Sequence, residues 1–140
     1  MRLAIIALAA AGAASLGAAA MAARPSPLGP PPPRGASLPS GQCFRSHDIR
    51  NHTLADDQTL LMNVNGRDTY RITVGGSCLG GAVSSDPIIT RNPPGSDIIC
   101  RPSDMDLAIS KSGFETRCIV QSIVKMSPAE VAALPKKLKP

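Results

Sequence analysis

The stretch CFRSHDIRNHTLADDQTL, from Cys43 to Leu60, sets two histidines, three aspartates and a cysteine within fifteen residues. Imidazole nitrogens and carboxylate oxygens are the donors that zinc and related ions take. Paired carboxylates can also do acid–base work when one pKa is raised. His47, Asp48, His52, Asp56 and Asp57 are therefore the candidate reactive residues. Their spacing is poor for a metal. In an extended segment His47 and His52 project to opposite faces, because five is an odd step. In a helix Asp48 and His52 would share a face, but Thr53 and the β-rich surroundings disfavour a helix. The competing reading is a loop and edge strand with solvated histidines. There Asp56-Asp57 makes a turn whose carboxylates bond nearby amides, or an exposed ion pair with Arg50. The turn reading is preferred.

Other short patterns weaken on inspection. Gly75-Gly76-Ser77-Cys78 has the look of a phosphate loop or nucleophile elbow, but both need a following helix, and the elbow needs glycine where Leu79 stands. Ser122-Ile123-Val124-Lys125 spells S-x-x-K without the companion motifs of the enzymes that use it. Asp104-x-Asp106 begins like a calcium loop, yet Ala108 occupies a ligand position. Asn51-His52-Thr53 is a glycosylation sequon, relevant only to a eukaryotic secretory route, and no glycan is expected. No cofactor motif is present, and none is expected.

The elements that would position these residues begin with MRLAIIALAAAGAASLGAAAMAARP. Arg2 precedes an uncharged run from Leu3 to Ala23, with small residues at two candidate cleavage points. Residues 1–23 read as a secretory signal peptide, with an uncleaved signal helix as the alternative. The first cysteine is Cys43, so bacterial lipid attachment is not expected. Residues 24–41 carry seven prolines in eighteen residues. Proline lacks the amide donor and fixes φ, so a stiff polyproline II linker outside the core is expected, spanning on the order of 50 Å. Its removal should leave stability unchanged. A docking role for Pro30–Pro33 is the less favoured reading. At the far end, Ser127, Pro128 and Glu130 fit a capping box for a short helix ending before Pro135. Lys136, Lys137 and Lys139 follow as a basic tail.

Residues 42–126 form the expected single domain. They hold nine basic and nine acidic residues, so the net charge of +5 resides in the flanks. With Phe44, Tyr70 and Phe114 as the whole aromatic supply, this domain lacks both the basic stripe and the stacking platforms of a nucleic-acid binder. The tail could make at most weak electrostatic contact with a membrane or cell wall. Thr59–Val64, Asn65-Gly66 and Asp68–Val74 read as a hairpin, with Tyr70, Ile72 and Val74 on one face. Further candidate strands are Ala82–Ser84, Ile88–Thr90, Asp97–Cys100, Asp106–Ser110 and Arg117–Val124. The expected fold is all-β, a small barrel or sandwich of about six or seven short strands. Cys43, Cys78, Cys100 and Cys118 show no C-x-x-C pair, and two structural disulfides are expected. Of the three possible pairings, Cys43–Cys118 with Cys78–Cys100 is preferred, because it closes the domain's ends and a middle loop.

The ordered set Cys43…Ile49, Asp56-Asp57 with a Thr-Leu strand, Tyr70-Arg71 leading to Gly76-Ser77-Cys78, Ile99-Cys100, Asp104 to Ile109, and Gly113…Cys118 resembles a family of small secreted proteobacterial proteins known as a domain of unknown function. The resemblance implies export, a compact β-rich domain and no established activity. It supplies no catalytic residue. The expected function is a non-enzymatic binding or structural role in the periplasm or outside the cell, with an envelope component as partner. The alternative is a small metal-dependent or acid–base hydrolase built on His47 to Asp57.

Overall fold

The computed structural model describes residues 27–140. The expected signal peptide and the first residues of the proline-rich segment lie outside them. Among the described residues there are eight strands: β1 (Phe44–Arg45), β2 (Ile49–Asp56), β3 (Thr59–Val64), β4 (Asp68–Gly75), β5 (Ile88–Arg91), β6 (Ile98–Ile99), β7 (Asp106–Lys111) and β8 (Phe114–Lys125). One α-helix follows, α1 (Pro128–Ala133). Six strands form an antiparallel sheet in the order β2-β3-β4-β8-β7-β5, curled into a half-barrel, and β1 pairs with β6 in a separate ribbon. The fold is thus the all-β, disulfide-stapled type expected, with its short C-terminal helix.

Local chemistry explains the hairpins. Asn65 and Gly66 both take positive φ, at 55° and 69°, and the Arg67 amide donates to the Val64 carbonyl at 3.1 Å. This left-handed turn matches the twist of β3 and β4. Ser112 and Gly113 repeat the device between β7 and β8, with Lys111 opposite Phe114. The expected strand Ala82–Ser84 is a turn instead. Side chains capture its polar groups: the Asp86 carboxylate accepts from the Val83 amide, and the Ser84 hydroxyl accepts from the Leu54 amide, each at 2.9 Å.

The sheet is covered on both faces. Leu60, Met62, Val64, Tyr70, Ile72, Val74, Leu107, Ile109 and Ile123 fill the concave side with Phe44, Leu79, Ile99 and Met105. On the convex side Leu61 packs with Met126, Leu134 and Leu138. That double burial is why Thr59–Val64 is apolar at successive positions instead of alternating.

The proline-rich segment departs from expectation. It does not stand off as a spacer. The Gly35 amide donates to Gln121, Ile123 donates to Ala36, and Leu38 donates to Cys100, all at 2.8–3.0 Å. Leu38 is only 8% exposed, within the main core. The cause lies in where the prolines fall. They cluster before Arg34, and the non-proline run Arg34–Leu38 keeps its amide donors. The segment before Arg34 still offers carbonyls: Arg71 Nη1 donates to Leu28 and Pro30 at 2.7 and 3.1 Å. Residues 27–41 are therefore a strap on the domain.

The disulfides are Cys43–Cys100 and Cys78–Cys118, which corrects the preferred pairing of Cys43–Cys118 and Cys78–Cys100. Strand register is the reason. Phe44 pairs with Ile99, so the next rung of the β1–β6 ribbon sets Cys43 against Cys100, with Cα atoms 4.6 Å apart. Gly75 pairs with Ile119, so the loop leaving β4 delivers Cys78 to Cys118 on β8.

Peptide mapping without reduction should return these two crosslinked pairs and no free thiol. Each bond should contribute about 2–4 kcal/mol, so reduction should lower Tm sharply or abolish folding. Detection of a Cys43–Cys118 peptide would contradict the register argument. A second measurement concerns the strap: Leu38→Ala should cost about 2–3 kcal/mol in urea unfolding. An unchanged midpoint would mean that the strap does not belong to the core.

Candidate functional site

The structure spreads the five sequence candidates along β2 and its flanks. His47 sits on a single 3₁₀ turn, Ser46–Asp48, mostly exposed. Its Nδ1 lies 3.2 Å from the Asp97 carboxylate and its Nε2 3.7 Å from Asp48, while Arg45 also pairs with Asp97 at 3.1 Å. His52 lies on the edge strand, half-buried, with Nε2 3.0 Å from the Asp86 carbonyl. Asp56 accepts from the Gln58 amide at 2.8 Å in the two-residue turn to β3, and Asp57 is exposed in that turn. His47 therefore lies near both Asp48 and Asp97, but His52, Asp56 and Asp57 do not join them. No group of three or more His, Cys, Asp or Glu side chains placed to hold a metal occurs among the described residues.

The other patterns have local structural uses. Cys78 is committed to its disulfide. Ser122 is buried on β8, and a step of three along a strand directs Lys125 to the opposite face. Asp104 accepts from the Cys100 and Arg101 amides and caps a 3₁₀ turn, while Asp106 opens β7.

A hollow of different make-up lies where the β3–β4 turn, the end of β8 and α1 converge. Arg67, Asp68 and Thr69 from the turn, Lys125 and Met126 from the end of β8, Pro128, Val131 and Ala132 of α1, and Lys139 line an open hollow of about 460 Å³. The chain path explains it. The Met126 amide donates to Thr69 at 2.9 Å, continuing the β4–β8 ladder one step. Ser127 then caps α1. Its hydroxyl accepts from the Glu130 amide, and the Glu130 carboxylate accepts from the Ser127 amide and hydroxyl, both at 2.7 Å. Those bonds, the amide first, hold the Glu130 carboxyl below its ordinary pKa. The helix therefore folds back over the sheet and seats Leu134 beside Leu61.

Three cations border the cleft against one carboxylate. Lys125 Nζ pairs with Asp68 at 3.0 Å and lies 6.0 Å from the Tyr70 ring centroid. Lys139 donates to the Ala132 carbonyl at 3.3 Å, and Arg67 is exposed at the turn. Pro128, Val131, Ala132 and Met126 give the cleft an apolar lining. Of these residues the sequence marked Lys139 in the tail, Pro128 at the helix start and Lys125 in an S-x-x-K pattern, none of them as part of a cleft. The available signal was a capping box directly after a strand, which obliges the helix to turn back onto the sheet end.

These features define a small β domain, stapled by two disulfides, whose helix and basic tail frame a cationic cleft with an apolar lining. The chain belongs to the family described as "Family of unknown function (DUF6491)", whose model matches residues 1–139. No curated protein and no solved structure matches it.

His52 provides a pH test. Burial pushes its pKa below the ordinary value of about 6.5, and the Asp86 carbonyl and carboxylate only partly offset this. The folded state thus binds a proton less readily than the unfolded state. The stabilisation is complete above about 6.5 and is lost as pH falls through the lower folded value. Tm should fall between pH 7.5 and about 5, and His52→Gln should flatten that fall. An equal fall in the variant would assign the titration to another group.

Proposed function

We propose that this protein is exported and acts in the periplasm or outside the cell as a non-enzymatic binding or structural domain of the envelope. The pair of disulfides carries this reading. Both bonds follow from strand register, all four cysteines are used, and such crosslinks persist in oxidising compartments. The sequence of residues 1–23, with Arg2 ahead of an uncharged run, adds support for export. No helix among the described residues is long and apolar enough to cross a membrane. The contact face is the cleft beside α1, where an apolar lining and unbalanced positive charge coincide. The hydrolase alternative draws little support from the geometry, because His52, Asp56 and Asp57 stand apart from the His47–Asp48–Asp97 group.

Fractionation of cells expressing a C-terminally tagged full chain tests the location. The tagged protein should appear in the periplasmic or extracellular fraction with its cysteines oxidised. Recovery from the cytosol with four free thiols would overturn the proposal. Elemental analysis of protein purified without a histidine tag should find no stoichiometric transition metal; a full equivalent lost in His52→Ala would restore the hydrolase reading.

A further inference from the structure

We infer that the cleft between the β3–β4 turn and α1 is a site for the phosphate head group of an anionic lipid, so that the domain rests on a membrane surface by this face. The inference rests on the envelope role proposed above and names the partner's chemistry. Two observations converge on it.

The first is composition. Arg67, Lys125 and Lys139 outnumber the single carboxylate, Asp68, which Lys125 already engages. Of the other two cations in the lining, Arg67 is exposed on the turn and Lys139, on the tail, donates to the Ala132 carbonyl at 3.3 Å. A guanidinium and an ammonium are the donors that phosphate oxygens accept best. The lining between them is apolar: Met126, Val131, Ala132 and Pro128. A free phosphate would gain nothing from that surface, whereas the glycerol and upper chain of a lipid would bury against it.

The second is the neighbourhood. Lys136 and Lys137 lie exposed in the same tail as Lys139, and this tail adds three positive charges to residues 42–126, which are neutral with Arg67 counted among them. Basic residues grouped on one face are attracted to anionic lipid at roughly 1 kcal/mol each.

Vesicle co-sedimentation tests the site with the full chain as purified from the exported fraction. The readout is the ratio of binding to phosphatidylcholine vesicles with and without phosphatidylglycerol, at about 0.1 M salt. Any contribution from the uncharged run cancels in that ratio. The ratio should exceed one. It should fall by on the order of tenfold in the double variant Arg67→Gln, Lys139→Gln. It should fall also in Ala132→Trp, which fills the cleft without changing charge. Arg117→Gln should leave it unchanged, because that exposed cation lies eight residues back along β8, about 26 Å from Lys125. Dodecyl phosphate below its micelle concentration should compete, and inorganic phosphate at equal concentration should not. Circular dichroism confirms that each variant is folded. Equal binding to both vesicles, full binding by Ala132→Trp, or equal competition by inorganic phosphate would each overturn the inference. Because vesicle binding is measured in vitro, its failure is distinct from a failure of export.

Discussion

Backbone amides and carbonyls along an unpaired strand must find partners, and a six-stranded sheet that stops at half a barrel leaves two such strands, β2 and β5. Much of the remaining structure answers that constraint. The segment that leads into β5 turns across to β2, where the Ser84 hydroxyl takes the Leu54 amide and the Asp86 carbonyl meets His52. The two open edges are thus joined by side chains and a turn, where a closed barrel would use a ladder. β8 poses the same problem in another place. It pairs with β7 over Phe114–Cys118 and with β4 over Ile119–Lys125. Its second half would leave one side bare, and Gly35 and Ala36 of the strap occupy it.

The convex face shows how covering an edge also creates a surface. Leu61 needs an apolar neighbour on the side away from the main core. Met126, Leu134 and Leu138 supply it because the Ser127 cap reverses the chain. Arg71, on the same convex side, is partly buried and is met by carbonyls of the strap, the acceptors that a proline-rich segment retains. Helix, tail and strap do not tile the face completely. The gap left at the β3–β4 turn is the cationic cleft, so the site follows from the way the second layer is assembled.

Much of this was legible in the sequence, for reasons that are local. Thr59–Val64 and Asp68–Gly75 carry their own signal in alternation, apolar content and an Asn-Gly turn. The Ser127–Glu130 capping box specifies a helix start without tertiary help. Other features depend on distant partners. The cysteine pairing turns on the β1–β6 register, two strands of two residues each that composition does not mark. The turn at Ser112-Gly113 was hidden because serine rarely accepts a φ of 49°. Ala82–Ser84 resembled a strand, yet its polar groups went to Asp86 and Leu54. The strap was read as a spacer because proline is frequent in it, while its docking uses the amides of the non-proline run Arg34–Leu38 and carbonyls before it that Arg71 reaches from the sheet. For the site, Lys139 was visible as part of a tail. Arg67 and Lys125 were not marked as neighbours, since what brings them together is the pairing of Tyr70 with Lys125 and the fold-back of α1.

The crossing order of the disulfides has a consequence for survival among proteases. The bridges 43–100 and 78–118 overlap, and neither encloses the other. A nick anywhere from Cys43 to Cys118 leaves the chain in one covalent piece. So do two nicks, one between Cys43 and Cys78 and the other between Cys100 and Cys118. In that case the middle fragment is held to the amino-terminal piece by one bond and to the carboxy-terminal piece by the other. A nested arrangement would have released it. A clipped copy of this domain thus keeps its strands at high effective concentration, and damage to its loops need not become loss of the fold.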